Sequence, residues 1–249
     1  MPQSRGKSEA HLRDRTSRYP LWLLGILIVW WAGWAIGVRN PTIWWLENLL
    51  TLVAVVVLIL TRRAFPLSKI SYTCIFLHLM MHVIGAHYTY SEVPYRQGFN
   101  AIVGTEFVQP TGEGHHNLYD RWMHFLFGLL WAYPIRELFV RLVGVRGFWG
   151  YYLPLDVTIS FSALYELMEW AVAIPFGGAP DFVGSQGDPW DAQKDMALAT
   201  LGAVVAMCVV AFVNWKYDRH FGEEMRRSFE VKRKKPLGEV KLEELKHDK

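Results

Sequence analysis

The chain has 249 residues, a formal net charge of +3 and a mean hydropathy of +0.12, and 52% of its residues are hydrophobic. The apolar residues form long unbroken blocks, which are typical of membrane spans and not of a soluble domain. The basic residues lie mainly at the ends and in short loops, so we expect a membrane protein with no nucleic-acid partner. Cys74 and Cys208 lie inside apolar blocks, which excludes a disulfide framework or a cysteine-based zinc site.

The apolar blocks predict an all-α polytopic membrane protein, a bundle of six transmembrane helices. A basic N-terminal arm, which we expect to be unstructured, covers residues 1–19, and a charged tail covers residues 216–249. The transmembrane domain is predicted at residues 20–215. Its spans lie at about 21–38, 43–60, 70–90, 118–142, 151–174 and 189–215.

Lysine and arginine concentrate in alternate loops. The arm, the loop 61–69, the turn 141–150 and the tail are all basic. The remaining loops hold only Arg39 and Arg96, with Arg121 and Lys194 at the mouths of spans. The positive-inside rule therefore places both termini in the cytoplasm. We expect a multi-pass protein of the bacterial inner (plasma) membrane.

The fourth predicted span carries a carboxylate and an imidazole close to its start. Asp120 and His124 are four residues apart, so they project from one face of a helix, one turn apart. Ionisable groups inside a bilayer are costly, and by default they indicate a functional site.

Three more spans bring ionisable residues to the same half of the predicted bundle, the outer half. Within each span these residues are three or four apart and share a helical face. The pairs are His78 with His82, Glu166 with Glu169, and Asp191 with Asp195. We therefore predict one His/Asp/Glu site in the outer half, beneath the polar loops 91–116 and 175–188.

An oxygen-rich donor set with a few imidazoles suits a divalent cation such as Zn²⁺, Mn²⁺, Mg²⁺ or Ca²⁺. Such a cation would offset the repulsion among acids in a low dielectric. The predicted metal ligands are His82, His124, Glu166, Asp191 and Asp195. The predicted catalytic residues are Asp120, His124, Glu166 and Glu169, and the predicted substrate-binding residues are Arg121, Lys194 and His78.

Simpler interpretations stay open for several of these residues. Asp188, before Pro189, fits an N-cap better than a ligand. Asp120 and Asp191 could merely favour the positive end of a helix dipole. Arg121 and Lys194 could neutralise neighbouring acids instead of holding an anionic group such as phosphate. The deeper residues could form a closed polar network that holds the helices together without a ligand.

Four sequence blocks carry a family resemblance: HLMMHVIGAHYTY (78–90), NLYDRWMHFLFG (117–128), ALYELMEW (163–170) and GDPWDAQKDMALATLGA (187–203). Together they resemble the YjdF-like family of bacterial inner-membrane proteins, a domain of unknown function, over residues 20–215. The Asp-x-x-x-His pair and the acidic Asp-x-x-x-Asp helix are also similar to VanZ-like proteins, which are linked to glycopeptide tolerance. Both resemblances imply a membrane fold, and neither supplies catalytic roles.

These observations favour a metal-dependent hydrolase or transferase acting on a lipid or lipid-linked head group, with membrane lipids as partners. A cation or proton transporter could use the same groups as a relay. A non-catalytic scaffold or lipid-binding protein, with the polar cluster as an internal staple, is a third class. A haem held by His82 and His124 is a further alternative. The sequence leaves open whether the protein is an enzyme, and its oligomeric state.

Overall fold

The computed structural model describes residues 3–95, 97, 117–176, 186, 188–231, 236, 238 and 239, with the backbone alone for residues 3–17. Within these ranges the chain forms seven α-helices and no strand, which confirms the prediction of an all-α fold. The helices are α1 (Gln3–Trp34), α2 (Pro41–Thr61), α3 (Lys69–His87), α4 (Tyr119–Leu138), α5 (Trp149–Ala173), α6 (Asp191–Tyr217) and α7 (Phe221–Arg227). A π-helical turn, Phe139–Val143, follows α4, and a 3-10 turn, Ile174–Phe176, follows α5.

Three helices, α2, α3 and α6, are long and apolar enough to cross a membrane by length and composition. The helices α4 and α5 have 20 and 25 residues but carry several ionisable residues of the predicted site, which make them less apolar. Helix α1 joins the predicted arm to the first predicted span, so the expectation of an unstructured arm is wrong. Most of the two predicted loops above the site, residues 98–116 and 177–185, lies outside the described residues, as does the end of the tail, 240–249.

Polar side chains fix the starts of α2 and α3. Asn40 caps α2, because its Oδ1 accepts hydrogen bonds from the backbone N–H groups of Thr42 (3.0 Å) and Ile43 (3.2 Å), and Pro41 follows as the first helical residue. Ser68 caps α3 by accepting a hydrogen bond from the N–H of Ser71 at 3.2 Å. These caps place the helix boundaries close to those that the apolar blocks predict.

Helix α4 lies at the centre of the bundle and packs against α3, α5 and α6. On the other side of α3, helices α1 and α2 both pack against α3. The core has two parts as a result. One, between α1 and α3, contains Leu27, Tyr72, Ile75 and Leu79, and the other, between α4 and α6, contains Ala132, Ala203, Ala206 and Met207.

Helices α4 and α6 approach closely along a seam of small residues. A Cβ added at Gly128 would collide with the carbonyl oxygen of Ala199, and one added at Gly202 would collide with the carbonyl oxygen of Phe125. Small residues at such contacts let helix backbones pack at short range in a membrane, where van der Waals contact drives association. The two glycines therefore set the distance between α4 and α6.

The outward faces of the helices are apolar. Large exposed side chains include Val53, Val56 and Leu60 on α2, Leu164 and Leu167 on α5, and Val209 and Phe212 on α6. A monomeric soluble protein rarely exposes apolar surface on this scale, so these faces suit contact with lipid.

A hydrogen-bond network around Glu137 joins the start of α3 to the end of α4, at the opposite end of the bundle from Asp120. Glu137 accepts hydrogen bonds from the N–H of Ser68 (2.9 and 3.0 Å), from the hydroxyl of Ser71 (2.5 Å) and from Arg141 (2.5 Å). Arg141 also donates to the carbonyl of Pro66 at 2.6 Å. One carboxylate thus fixes the register between α3 and α4.

We expect Gly128→Ala and Gly202→Ala each to destabilise the protein, because the added methyl group would force α4 and α6 apart. Overpacking of a tight contact typically costs about 1–3 kcal/mol. Thermal unfolding of the purified variants in detergent measures the effect as a lower Tm.

Gly25→Ala is the matched control, because a Cβ at this position of α1 would have no atom within 4 Å. The control should be neutral or slightly stabilising, since alanine favours a helix over glycine by about 1 kcal/mol. Equal Tm values for the three variants would show that the α4–α6 seam tolerates separation.

Candidate metal centre

The first turns of α4 present an acid and an imidazole to the interior of the bundle. His124 is buried, with its Nε2 3.8 Å from Oδ1 of Asp120, one helical turn earlier. The pair faces α6, because the glycine seam that joins the two helices begins directly after it. The two side chains therefore lie on one helical face, as their four-residue spacing predicts.

Helix α6 supplies the third donor. Asp195 is only 1% exposed, and its Oδ1 is buried without a hydrogen-bond partner among the described residues. One donor atom each from Asp120, His124 and Asp195 lie within 4.8 Å of one another. We call these three residues the triad.

Glu166, on α5, adds a second carboxylate oxygen without a partner. Its Oε1 lies 3.2 Å from Nε2 of His124, but the two atoms are not oriented as a hydrogen bond. Glu166 also interacts electrostatically with Asp120, Asp191 and Asp195. Three helices, α4, α5 and α6, therefore bring their acids to one imidazole.

The donor chemistry of these residues fits a divalent cation. Buried acids cost free energy when they lack both hydrogen bonds and counter-charges, and two oxygens here lack hydrogen bonds. An ion at the centre of the triad would be at most about 2.8 Å from each donor atom, so small side-chain rotations would reach the ligand distances of about 2.0–2.6 Å in proteins. Asp120, His124 and Asp195 would be the ligands, and Glu166 is positioned as a fourth.

The predicted substrate-binding cations, Arg121 and Lys194, are paired with acids. Both donate to Oδ2 of Asp188 at 2.5 Å, and Arg121 also lies 3.5 Å from Oδ1 of Asp191. This arrangement agrees with the alternative that they neutralise neighbouring acids. The pKa of Asp188 falls to about 2, mainly through the hydrogen bond from Lys194, with further contributions from the N–H of Trp190 and from Arg121.

The interpretation of Asp188 as the N-cap of α6 is wrong. The helix begins at Asp191, and the N-cap residue is Trp190, whose side chain makes no capping bond. Asp188 instead accepts the N–H of Trp190 at 3.0 Å in the turn before the helix. Its second oxygen is then free to pair with Arg121 and Lys194.

The two predicted histidines of α3 are not members of the triad. Nε2 of His82 lies 3.2 Å from the carbonyl oxygen of Glu47, and its Nδ1 is hydrogen-bonded to the hydroxyl of Tyr90. A neutral ring satisfies both contacts, donating from Nε2 and accepting at Nδ1. His82 would have to give up one of them to bind a metal, so its role as a ligand stays a prediction.

His78 lies among aromatic rings and not beside the predicted substrate-binding cations. Its ring centroid is 5.8 Å from that of Phe127, 6.0 Å from that of Trp131 and 6.5 Å from that of His82. Its Nδ1 is buried without a partner among the described residues. It also interacts electrostatically with His82 and with His124 of the triad, so His78 lies between the aromatic rings and the polar site.

The sequence did not predict two polar residues near the triad, Glu47 and Tyr90. Glu47, on α2, accepts a hydrogen bond from the hydroxyl of Tyr165 at 3.1 Å and interacts electrostatically with Asp120 and Glu169. A carboxylate inside a predicted span was the signal that could have found it. Nothing in the sequence predicts the role of Tyr90. Its side chain reaches His82 because Thr89 and Tyr90 adopt positive φ in the turn after α3.

Gly85 makes room for that turn. A Cβ at Gly85 would lie 2.7 Å from two ring atoms of Tyr90, so only glycine lets the ring pack against α3. The N–H of Tyr90 also donates to the carbonyl of Gly85 at 2.8 Å. The end of α3 is thus shaped to hold a tyrosine hydroxyl on His82.

Comparisons with known proteins bear on the membrane fold and the family. A family model described as "Predicted membrane protein (DUF2238)" matches residues 19–216. The chain is 38% identical over 189 residues to the inner membrane protein YjdF of Escherichia coli (strain K12), a match that covers 75% of this chain and 86% of the relative. No solved structure matches. The similarity to VanZ-like proteins stays a prediction. On the family match and this relative, the chain belongs to the DUF2238 family of membrane proteins.

Proposed function

We propose that this protein is a multi-pass protein of the bacterial inner (plasma) membrane with a divalent metal centre in the outer half of its helical bundle. In this proposal the metal acts on a lipid or lipid-linked head group, in a hydrolase or transferase reaction. The observation that carries the proposal is the triad of Asp120, His124 and Asp195, with a buried and unpartnered oxygen on Asp195.

The topology proposed is six spans with both termini in the cytoplasm, an arm at 1–19, a transmembrane domain at 20–215 and a tail at 216–249. The basic arm, the loop 61–69, the turn 141–150 and the tail then share one side of the membrane. The end of α3 and the starts of α4 and α6 meet at the other side. Helices α4 and α5 span the membrane in spite of their charges, because the acids of the proposed site face the interior of the bundle. Asp156 of α5 is exposed, in the half of the helix away from the triad.

The acid–base chemistry would come from the acids that surround the triad. A divalent ion lowers the pKa of a bound water and polarises an ester or phosphoryl oxygen. Glu166, 3.2 Å from the imidazole of His124, is placed to accept a proton from such a water. Glu169 interacts electrostatically with Asp120 and Glu166, so it is a further acid of the same cluster.

The mouth of the site would select an anionic group. Asp188 holds Arg121 and Lys194 at one oxygen, in the turn that precedes α6. Because Asp188 stays ionised across the physiological pH range, protonation does not release the two cations. An incoming phosphate would instead compete with Asp188 for the same N–H donors.

A specific observation favours a cation or proton transporter as the second candidate. Below Glu166 on the same face of α5, Ser162 and Thr158 are both buried, four residues apart. Thr158 donates to the carbonyl of Pro154 at 2.7 Å, whereas the hydroxyl of Ser162 has no partner among the described residues. These hydroxyls extend the polar site towards the middle of the bundle.

Metal content tests the proposed centre directly. We expect purified protein reconstituted with Zn²⁺, Mn²⁺, Mg²⁺ or Ca²⁺ to retain one of them stoichiometrically, and Asp195→Asn and His124→Ala to lose it. Elemental analysis after gel filtration measures the ratio of metal to protein. Asp156→Asn, an exposed acid elsewhere on α5, is the matched control and should retain the metal.

Absence of a stoichiometric metal from the reconstituted wild-type protein would refute the centre. If His124→Ala and Asp120→Asn instead lower only the folded yield, and no metal binds, the polar cluster is a structural staple and the protein a scaffold.

Reconstituted liposomes separate the enzyme from the transporter. We expect the wild-type protein to release or transfer head groups from inner-membrane lipids in a chelator-sensitive way, measured by mass spectrometry, and Glu166→Gln to lose this activity. A proton or metal flux that Glu166→Gln abolishes, without any lipid turnover, would make the transporter the better description.

Labelling with a membrane-impermeant maleimide tests the topology. In a variant that lacks Cys74 and Cys208, we expect a cysteine at Glu92 to react in intact spheroplasts, because this residue lies beyond the outer end of α3. A cysteine at Gly222 should react only after permeabilisation, since α7 lies in the cytoplasm. Labelling of both positions from outside would contradict the odd number of spans, three, that is proposed between them.

A further inference from the structure

Helices α1 and α2 form a V-shaped pair on the surface of α3. They meet near the end of α1, where the indole N–H of Trp31 donates to Oδ1 of Asn48 at 2.7 Å. The rings of Trp31 and Trp44 also contact, with centroids 5.2 Å apart. Both helices pack on α3, and towards the start of α1 a cleft opens between them.

The cleft has an empty volume of about 520 Å³, including the space at its open side. Its walls are almost entirely apolar, and α3 forms its floor. The principal lining residues are Leu24 and Leu27 from α1, Val55 and Leu58 from α2, and Ile75 and Leu79 from α3.

Among the side chains that the structure describes, Arg62 is the one cation that lines the cleft, at its mouth. Arg62 is the C-cap residue of α2, and its backbone N–H donates to the carbonyl of Leu58 at 3.0 Å, so its position is fixed by the helix. No described acid forms an ion pair with Arg62. The next residue, Arg63, is exposed and does not line the cleft.

We propose that this cleft binds one acyl chain of an anionic phospholipid, with the lipid phosphate on Arg62. The apolar walls match a hydrocarbon chain, and the arginine at the mouth matches a phosphate in charge and in geometry. A basic side chain at the end of a span also lies at the level of the lipid head groups. The site is separate from the metal centre, which lies at the opposite end of the helices.

The leaflet follows from the orientation proposed above. The mouth of the cleft lies near Pro20 of α1, at the start of the first proposed span, and at the end of α2, beside the basic loop 61–69. With the N-terminus in the cytoplasm, the lipid belongs to the cytoplasmic leaflet, where Lys and Arg accumulate. The assignment of the leaflet rests on the proposed topology, whereas the cleft itself does not.

Two neighbouring arginines provide a matched pair of variants. We expect Arg62→Gln to reduce the retention of phosphatidylglycerol by about fivefold, the effect of one basic residue near an anionic head group. Arg63→Gln removes the same charge one residue away and should retain the lipid as the wild-type protein does. Native mass spectrometry of delipidated protein titrated with phosphatidylglycerol measures the bound lipid.

A second variant tests the hydrocarbon part of the site without changing its charge. Leu58→Trp fills the cleft from α2 and should lower the retention of phosphatidylglycerol while Arg62 is intact. If Leu58→Trp does not fold, as judged by gel filtration, Leu24→Trp fills the same space from α1.

Equal retention by the Arg62→Gln and Arg63→Gln variants would overturn the proposal, as would equal retention of phosphatidylcholine and phosphatidylglycerol by the wild-type protein. The topology is measured separately by cysteine labelling, so a failure of the lipid site is distinguishable from a wrong orientation.

Discussion

The close approach of α4 and α6 is the constraint on which the site depends. Gly128 and Gly202 each lie against a backbone carbonyl of the opposite helix, with no room for a side chain. This contact places Asp195 of α6 beside His124 of α4, within the reach of a single ion. A larger residue in the seam would separate the two helices and therefore also the donor atoms.

The electrostatics of the site follow from this geometry. The described acids of the cluster are Asp120, Glu47, Glu166, Glu169, Asp191 and Asp195, and Arg121 is the cation that contacts this group. Arg121 is shared with Asp188. A low-dielectric interior makes uncompensated charges costly, so the cluster requires either protons or a cation to be stable. The proposed divalent ion would resolve the imbalance and would also supply partners for the two unpaired oxygens.

Much of the fold could be predicted from the sequence because membrane helices are long and their apolar residues are continuous. The pair Asp120 and His124 was also predictable, since helical periodicity alone places both side chains on one face. The convergence of α4 with Asp195 needed one further step, the orientation of alternate spans, which the distribution of Lys and Arg supplies.

Other parts of the site depended on contacts that sequence spacing does not encode. His82 bonds to Tyr90 because two residues adopt positive φ after α3, and Gly85 leaves room for the ring. Asp188 pairs with Arg121 across nearly 70 residues of sequence instead of capping its own helix. Glu47 was missed because a lone acid in an otherwise apolar span forms no pattern with its neighbours. Contacts with Tyr165 of α5 and His82 of α3 join it to the cluster.

The two ends of the bundle differ in a way that relates both proposed sites to the membrane. At the end that holds the triad, five helices, α2 to α6, contribute ionisable groups, and α1 contacts α2 through the hydrogen bond between Trp31 and Asn48. At the other end the same two helices separate over an apolar floor, with Arg62 at the edge. A polar pocket suits chemistry on a charged group, whereas an apolar cleft with one cation suits a structural lipid. Because α3 borders both, a lipid that fills the cleft would also support the helix against which α4 carries the triad.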